Sequence, residues 1–273
     1  MASAELPLLI EPQQMVALLD NPEIIVVDLC KHETYLQAHI PGAVHLDYKW
    51  LVTAKPPAMG FIPEIEYLGQ IMANLGITNN SHIVTYDDEG GGKATRFTYT
   101  LDVLGHKQYS LLNGGLHAWA KEGFPLDTTQ VKRSVSVYKT NIHTHPVATK
   151  QYILSNLYES SMQLVDARSP AEFYGTKKFA EKIGHIPGAI NLDWNELIDQ
   201  QHNFRLKPPE ELTKLLNDRN IEQSKTTVVY CQTHHRSALL YFVLKYLGFA
   251  DIKGYPGSWS EWGNSSDTPV EVN

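Results

Sequence analysis

The chain has 273 residues, a formal net charge of −7 and two cysteines, with 42% hydrophobic and 19% charged residues. That is enough to bury one large core or two ordinary ones without disulfide or metal staples, and too apolar a composition for a disordered chain. The acidic balance speaks against nucleic acid as a partner, and no apolar run reaches the roughly 18 residues of a membrane span. The start of the chain carries Glu5 and Glu11 and no basic stretch, unlike a secretory leader. Two cysteines make no disulfide framework, so free thiols in a reducing, cytoplasmic compartment are expected.

In chain order, the apolar run 24–29 predicts a buried parallel strand ending near Asp28. The box His39-Ile40-Pro41-Gly42-Ala43 follows. Residues 81–86 predict a second strand, then a loop with Asp87, Asp88, Glu89 and three glycines, then a helix over 96–104 with Gly105 at its C-terminal cap. Residues 108–112 predict a short third strand, and the polar stretch 130–146 a linker. The pattern then starts again. Strands are predicted at 163–167, 226–230 and 250–254, and a helix over 237–247 closed by Gly248.

The second pass is a diverged copy of the first. His185-Ile186-Pro187-Gly188-Ala189 repeats the box without a mismatch, Asp166 matches Asp28, and Leu192-Asp193 matches Leu46-Asp47. Trp259, Gly263 and Asp267 line up with Trp119, Gly123 and Asp127, at a constant offset of about 140 residues. Strands spaced by helices imply two α/β domains, each a mainly parallel sheet with helices on both faces. The expected boundaries are 1–129, a linker over 130–146, and 147–273.

Sites in open α/β sheets form beyond the C-terminal ends of strands, and Cys231 stands there, directly after 226–230. The stretch Gln232-Thr233-His234-His235-Arg236-Ser237 leads into a helix. Inward amides and a helix N-terminus lower a thiol pKa, and two histidines and an arginine add positive charge. Cys231 is therefore read as a nucleophile in an anion-binding loop, against the alternative of a buried structural thiol. Cys30 lacks such surroundings and is read as packing. In the first copy Asp87 stands opposite Cys231 in an acidic loop that repels anions, so the first domain is expected to be a scaffold walling one side of the site. His39 and His185, present in both copies, are expected to be structural. Trp194 is a candidate pocket wall, with core packing as the alternative. No second ligand pair accompanies Cys231, His234 and His235, so no metal is expected.

The duplication, a loop cysteine only in the second copy, the box with the aromatic Tyr35 four residues ahead of His39 (and none so placed ahead of His185), and the terminal box Tyr255-Pro256-Gly257-Ser258-Trp259-Ser260-Glu261-Trp262 together resemble a tandem-domain rhodanese over nearly the whole chain. The loop Cys-Gln-Thr-His-His-Arg is similar to that of a bacterial subset. The resemblance implies a sulfurtransferase: Cys231 takes sulfane sulfur from a donor, becomes a persulfide and passes the sulfur on. It implies no cofactor beyond that covalent intermediate. A small anionic donor is expected, with cyanide, thiols, thioredoxin-like proteins or iron–sulfur assembly proteins as acceptors. Arg236 is assigned to donor binding, with a tether to backbone carbonyls as its alternative. A phosphatase would need Cys-x5-Arg; the spacing here is Cys-x4-Arg. Glu172 stands where mercaptopyruvate enzymes are expected to hold an arginine, and its repulsion of a carboxylate donor favours thiosulfate over 3-mercaptopyruvate. A non-catalytic interaction module is the remaining alternative.

Overall fold

The computed structural model describes residues 6–272. Along the chain run strands β1 (Leu9–Ile10), β2 (Ile24–Asp28), β3 (Val44–His45), β4 (Thr53–Lys55), β5 (Ala58–Phe61), β6 (His82–Tyr86) and β7 (Tyr109–Leu112). They continue with β8 (Met162–Asp166), β9 (Ile190–Asn191), β10 (Ile198–Asp199), β11 (Arg205–Leu206), β12 (Thr226–Tyr230) and β13 (Ile252–Gly254). The α-helices are α1 (Pro12–Val16), α2 (His32–Gln37), α3 (Ile65–Asn74), α4 (Gly92–Val103), α5 (Gly115–Lys121), α6 (Lys150–Asn156), α7 (Pro170–Phe173), α8 (Pro209–Asn217), α9 (Arg236–Tyr246) and α10 (Ser258–Trp262).

The chain forms two compact units. In the first, strands run in the order β1-β7-β6-β2-β3, all parallel. In the second the order is β13-β12-β8-β9, again parallel. The two orders correspond strand for strand once β1 is set aside, as duplication requires. Central strands are buried along their length, which is why β2 and β12 read as continuous apolar runs without alternation. The predicted strands at 24–29, 81–86, 163–167 and 226–230 are present within a residue at each end. The helix expected at 96–104 begins earlier, at Gly92.

The unit boundaries differ from the expected ones. Unit one comprises the described residues of Met1–Leu51, with Pro63–His143 and Asp199–Leu206. Unit two comprises Val52–Ile62, Thr144–Ile198 and the described residues of Lys207–Asn273. Each sequence copy thus lends a short segment to the unit built mainly from the other. Most of the expected linker is also part of unit one. Its polar residues hide backbone bonds: Ser136 donates to the Ala73 carbonyl (2.9 Å) and His143 to that of Val103 (2.8 Å).

The paired boxes are built alike. His39 stacks on Tyr35 with ring centroids 4.0 Å apart, and His185 on Phe173 at 3.6 Å. Each Nδ1 faces the carbonyl of that aromatic residue, and each His backbone forms an antiparallel bridge, to Asp127 or to Glu271. The histidines are structural, as expected. The aromatic partner missing from the second box is Phe173, carried upstream by an insertion. The bridges also correct the repeat register near the chain ends. Asp127 corresponds to Glu271, not Asp267. Trp119 corresponds to Trp262, not Trp259, since their indole N–H groups donate to Pro125 and Pro269 in the same way, each at 2.7 Å.

Candidate active site

Cys231 follows β12 at the C-terminal edge of the second sheet and is 1% exposed. Residues 231–235 form a tight loop before α9, and His234 takes a left-handed conformation (φ 55°) to close it. The Cys231 carbonyl accepts the Trp259 amide (2.9 Å), and the Gln232 carbonyl accepts that of Ser260 (3.0 Å). The Cys231 amide reaches the Ser258 hydroxyl at 3.3 Å. The loop carbonyls therefore point outward to α10. A trans peptide aims its N–H opposite to its carbonyl, so the following amides point inward, towards the sulfur. The Thr233 amide, the Ser237 amide and the Ser237 hydroxyl all bond the Cys231 sulfur.

Burial pushes the Cys231 thiol up, but the Arg236 charge and those Ser237 and Thr233 hydrogen bonds outweigh it, and the net shift is below the ordinary thiol value. Cys30 is the counterexample within the same chain. Burial and the charges of Asp28, Asp88 and Asp87 all push its thiol far up. It occupies the place that Arg168 holds in the second copy. There Arg168 pairs with buried Asp166 (2.6 Å) and lies 4.4 Å over the Trp259 ring. Without that arginine, burial raises the Asp28 pKa, against hydrogen bonds from Tyr86 and Cys30 that lower it.

Arg236 forms a tether, to a carboxylate in place of the expected backbone carbonyls. Its guanidinium donates to both oxygens of Glu172, at 2.7 and 2.8 Å. Burial raises the Glu172 carboxyl, but Arg236 and Ser169 overcome that and hold it at about 2. Glu172 is 5% exposed and neutralised, so it is not the bare repelling carboxylate that the sequence suggests. Its capping box with Ser169 was the sequence signal that it turns back on its own helix. Arg236 still acts on Cys231 through its charge.

His234 is buried, with Nδ1 2.8 Å from the Ser237 hydroxyl, and so braces the loop from within. His235 and Gln232 are half-buried at the rim. The Gln232 amide donates to the Phe179 carbonyl at 3.2 Å. Trp194 is half-buried with its ring 5.8 Å from that of His235, which places it beside the loop. Among the described residues no group of three or more His, Cys, Asp or Glu has the arrangement of a metal site.

The corresponding loop of unit one has the same length, residues 87–91, and also turns left-handed at its fourth position, Gly90. Asp87 does more there than repel anions. Its carboxylate turns inward and accepts the amides of Glu89 (3.0 Å), Gly91 (2.8 Å) and Ala94 (2.9 Å). The anion cradle survives in the first copy, filled by the chain's own side chain.

Comparison with known proteins accords with this geometry. The family model described as "Rhodanese-like domain" matches residues 11–122 and again 149–265. A thiosulfate sulfurtransferase of Pseudomonas aeruginosa is 43% identical over 269 residues, covering 98% of each chain. One from Azotobacter vinelandii is likewise 43% identical, with 98% of each chain covered. Among solved structures, the 3-mercaptopyruvate sulfotransferase SseA of Escherichia coli superposes with a TM-score of 0.84 at 26% identity, over 93% of this chain and 99% of that one. With both halves matched separately and the thiol, the amide cradle and the filled second cradle in corresponding places, this chain belongs to the rhodanese family.

Proposed function

We propose that this protein is a thiosulfate sulfurtransferase whose sulfur carrier is Cys231. The observation that carries this reading is the Cys231 thiol itself, buried at a strand end among inward amides with its pKa lowered. The thiolate attacks the outer sulfur of thiosulfate, the S–S bond of the donor breaks and sulfite leaves with the bonding pair. Cys231 becomes a persulfide anion, stabilised by the loop amides and the Arg236 charge. An acceptor such as cyanide then attacks the outer sulfur and returns the thiolate, a ping-pong cycle that needs no external proton, metal or resident cofactor. Gln232, His235 and Trp194 border the loop where donor and acceptor enter. The loop sequence is that of the bacterial Cys-Gln-Thr-His-His-Arg type, and the free thiols suit a reducing cytoplasm.

Thiosulfate is preferred over 3-mercaptopyruvate on the strength of the 43% identical relatives, because the repulsion argued from Glu172 is cancelled by Arg236. Thiols, thioredoxin-like proteins and iron–sulfur assembly proteins are the acceptor classes in keeping with a persulfide donor. The test is turnover of thiosulfate and cyanide to sulfite and thiocyanate, with 3-mercaptopyruvate and an aryl phosphate in parallel. The expected result is thiosulfate turnover that vanishes in Cys231→Ser. Faster turnover of mercaptopyruvate would reassign the donor, and hydrolysis of the phosphate ester alone would overturn the reading.

A further inference from the structure

The hairpin β4–β5 lies early in the first sequence copy but belongs to the unit that carries Cys231. It meets the catalytic loop in two ways. The first is through Ser260. Its hydroxyl accepts the Met59 amide at 3.0 Å, with the carbonyls of Met59 (3.0 Å) and Gly257 (2.8 Å) within reach of its proton. The Ser260 amide meanwhile holds the Gln232 carbonyl at 3.0 Å. One residue thus joins the hairpin to the loop. The second is direct. Gly60 sits so close to the loop that a Cβ there would lie 2.3 Å from the Thr233 carbonyl oxygen, and its φ of +84° is one that glycine adopts freely.

These contacts act on the peptides that matter for the sulfur. The Gln232 carbonyl and the Thr233 N–H belong to one peptide unit, so fixing the first outward aims the second at Cys231. The Thr233 carbonyl, against Gly60, belongs to the next unit. We infer that the β4–β5 hairpin is a strap that holds the sulfur-facing amides of the catalytic loop in place, with Gly60 and Ser260 as its positioning residues. This rests on the reading of Cys231 as the sulfur carrier, and it gives the first sequence copy a part in the chemistry beyond that of a scaffold.

Two variants of the full chain test it. Ser260→Ala releases the hairpin while keeping the backbone bond to Gln232. Gly60→Ala drives the hairpin off Thr233. The readout is the pH profile of Cys231 alkylation by iodoacetamide, located by peptide mass, together with the pH profile of sulfur loading from thiosulfate. Both variants should keep the wild-type circular dichroism, move the alkylation inflection up by about one pH unit and slow sulfur loading about tenfold at pH values below the wild-type inflection, with reactivity restored at alkaline pH. An unchanged inflection in folded Ser260→Ala overturns the strap, and that variant alone decides if Gly60→Ala does not fold. A wild type that never takes up sulfur would sink the proposed function, yet the alkylation profiles would still judge the strap.

Discussion

Cys231 and Cys30 are both buried next to the end of a central strand, and their surroundings drive them in opposite directions. Cys231 has a cation and inward amides; Cys30 has three carboxyls. Cys30→Ala should therefore leave sulfur loading unchanged, as measured by sulfite release in a single turnover. Arg236→Ala removes the charge that favours the thiolate and strands Glu172 in a buried position. It should raise the alkylation inflection of Cys231 and cost about 3 kcal/mol of stability in urea unfolding. Since a thiolate forms above its pKa, wild-type loading should fall as the medium acidifies past the lowered thiol pKa. Arg236→Ala should begin that fall at higher pH. The nucleophile and its loop were legible in the sequence because strand, cysteine and helix start are contiguous. The Arg236–Glu172 pair was not, because its members lie 64 residues apart and only folding brings the α7 carboxylate to the start of α9.

At the scale of elements, duplication makes the two strand–loop–helix units directly comparable. In unit one the Asp87 carboxylate takes up three amides, the place an external anion would take. Replacing Asp87 with Ala would leave these buried donors unsatisfied. We expect a loss of about 2–3 kcal/mol in unfolding free energy, where Asp87→Asn, which keeps an acceptor oxygen, loses less. Parallel strands and main helices were readable because buried runs and helix-capping glycines are local signals. The hairpin β4–β5 was not: its strands are three and four residues long, interrupted by Pro56-Pro57, and its value lies in backbone contacts with Thr233 and Ser260 far along the chain. Phe173 was missed for a related reason, since an insertion separates it from His185 although the rings stack as in the first copy.

For the whole molecule, sequence repeats and folded units are not the same partition. The repeat was visible because the boxes recur, whereas the lent segments 52–62 and 199–206 carry no repeat signature that says which unit they join. Acid stability should reflect titrating groups withdrawn from water in both units. Burial, reinforced by the charge of His106, lowers His82 from 6.5 to about 4. The unfolded chain therefore binds more protons over that range, so stability should fall as pH drops from about 6.5 to 4, and His82→Gln should flatten that slope in thermal melts. Glu172, held at about 2 in the folded state against 4.5, gives stability that is present above 4.5 and lost as pH falls towards 2. The central claim is that Cys231 carries sulfane sulfur, and intact-mass measurement after incubation with thiosulfate tests it most directly. The account predicts a gain of one sulfur atom, located at residue 231, removed by cyanide and absent from Cys231→Ser. No gain in mass, or a gain that persists in that variant, would contradict it.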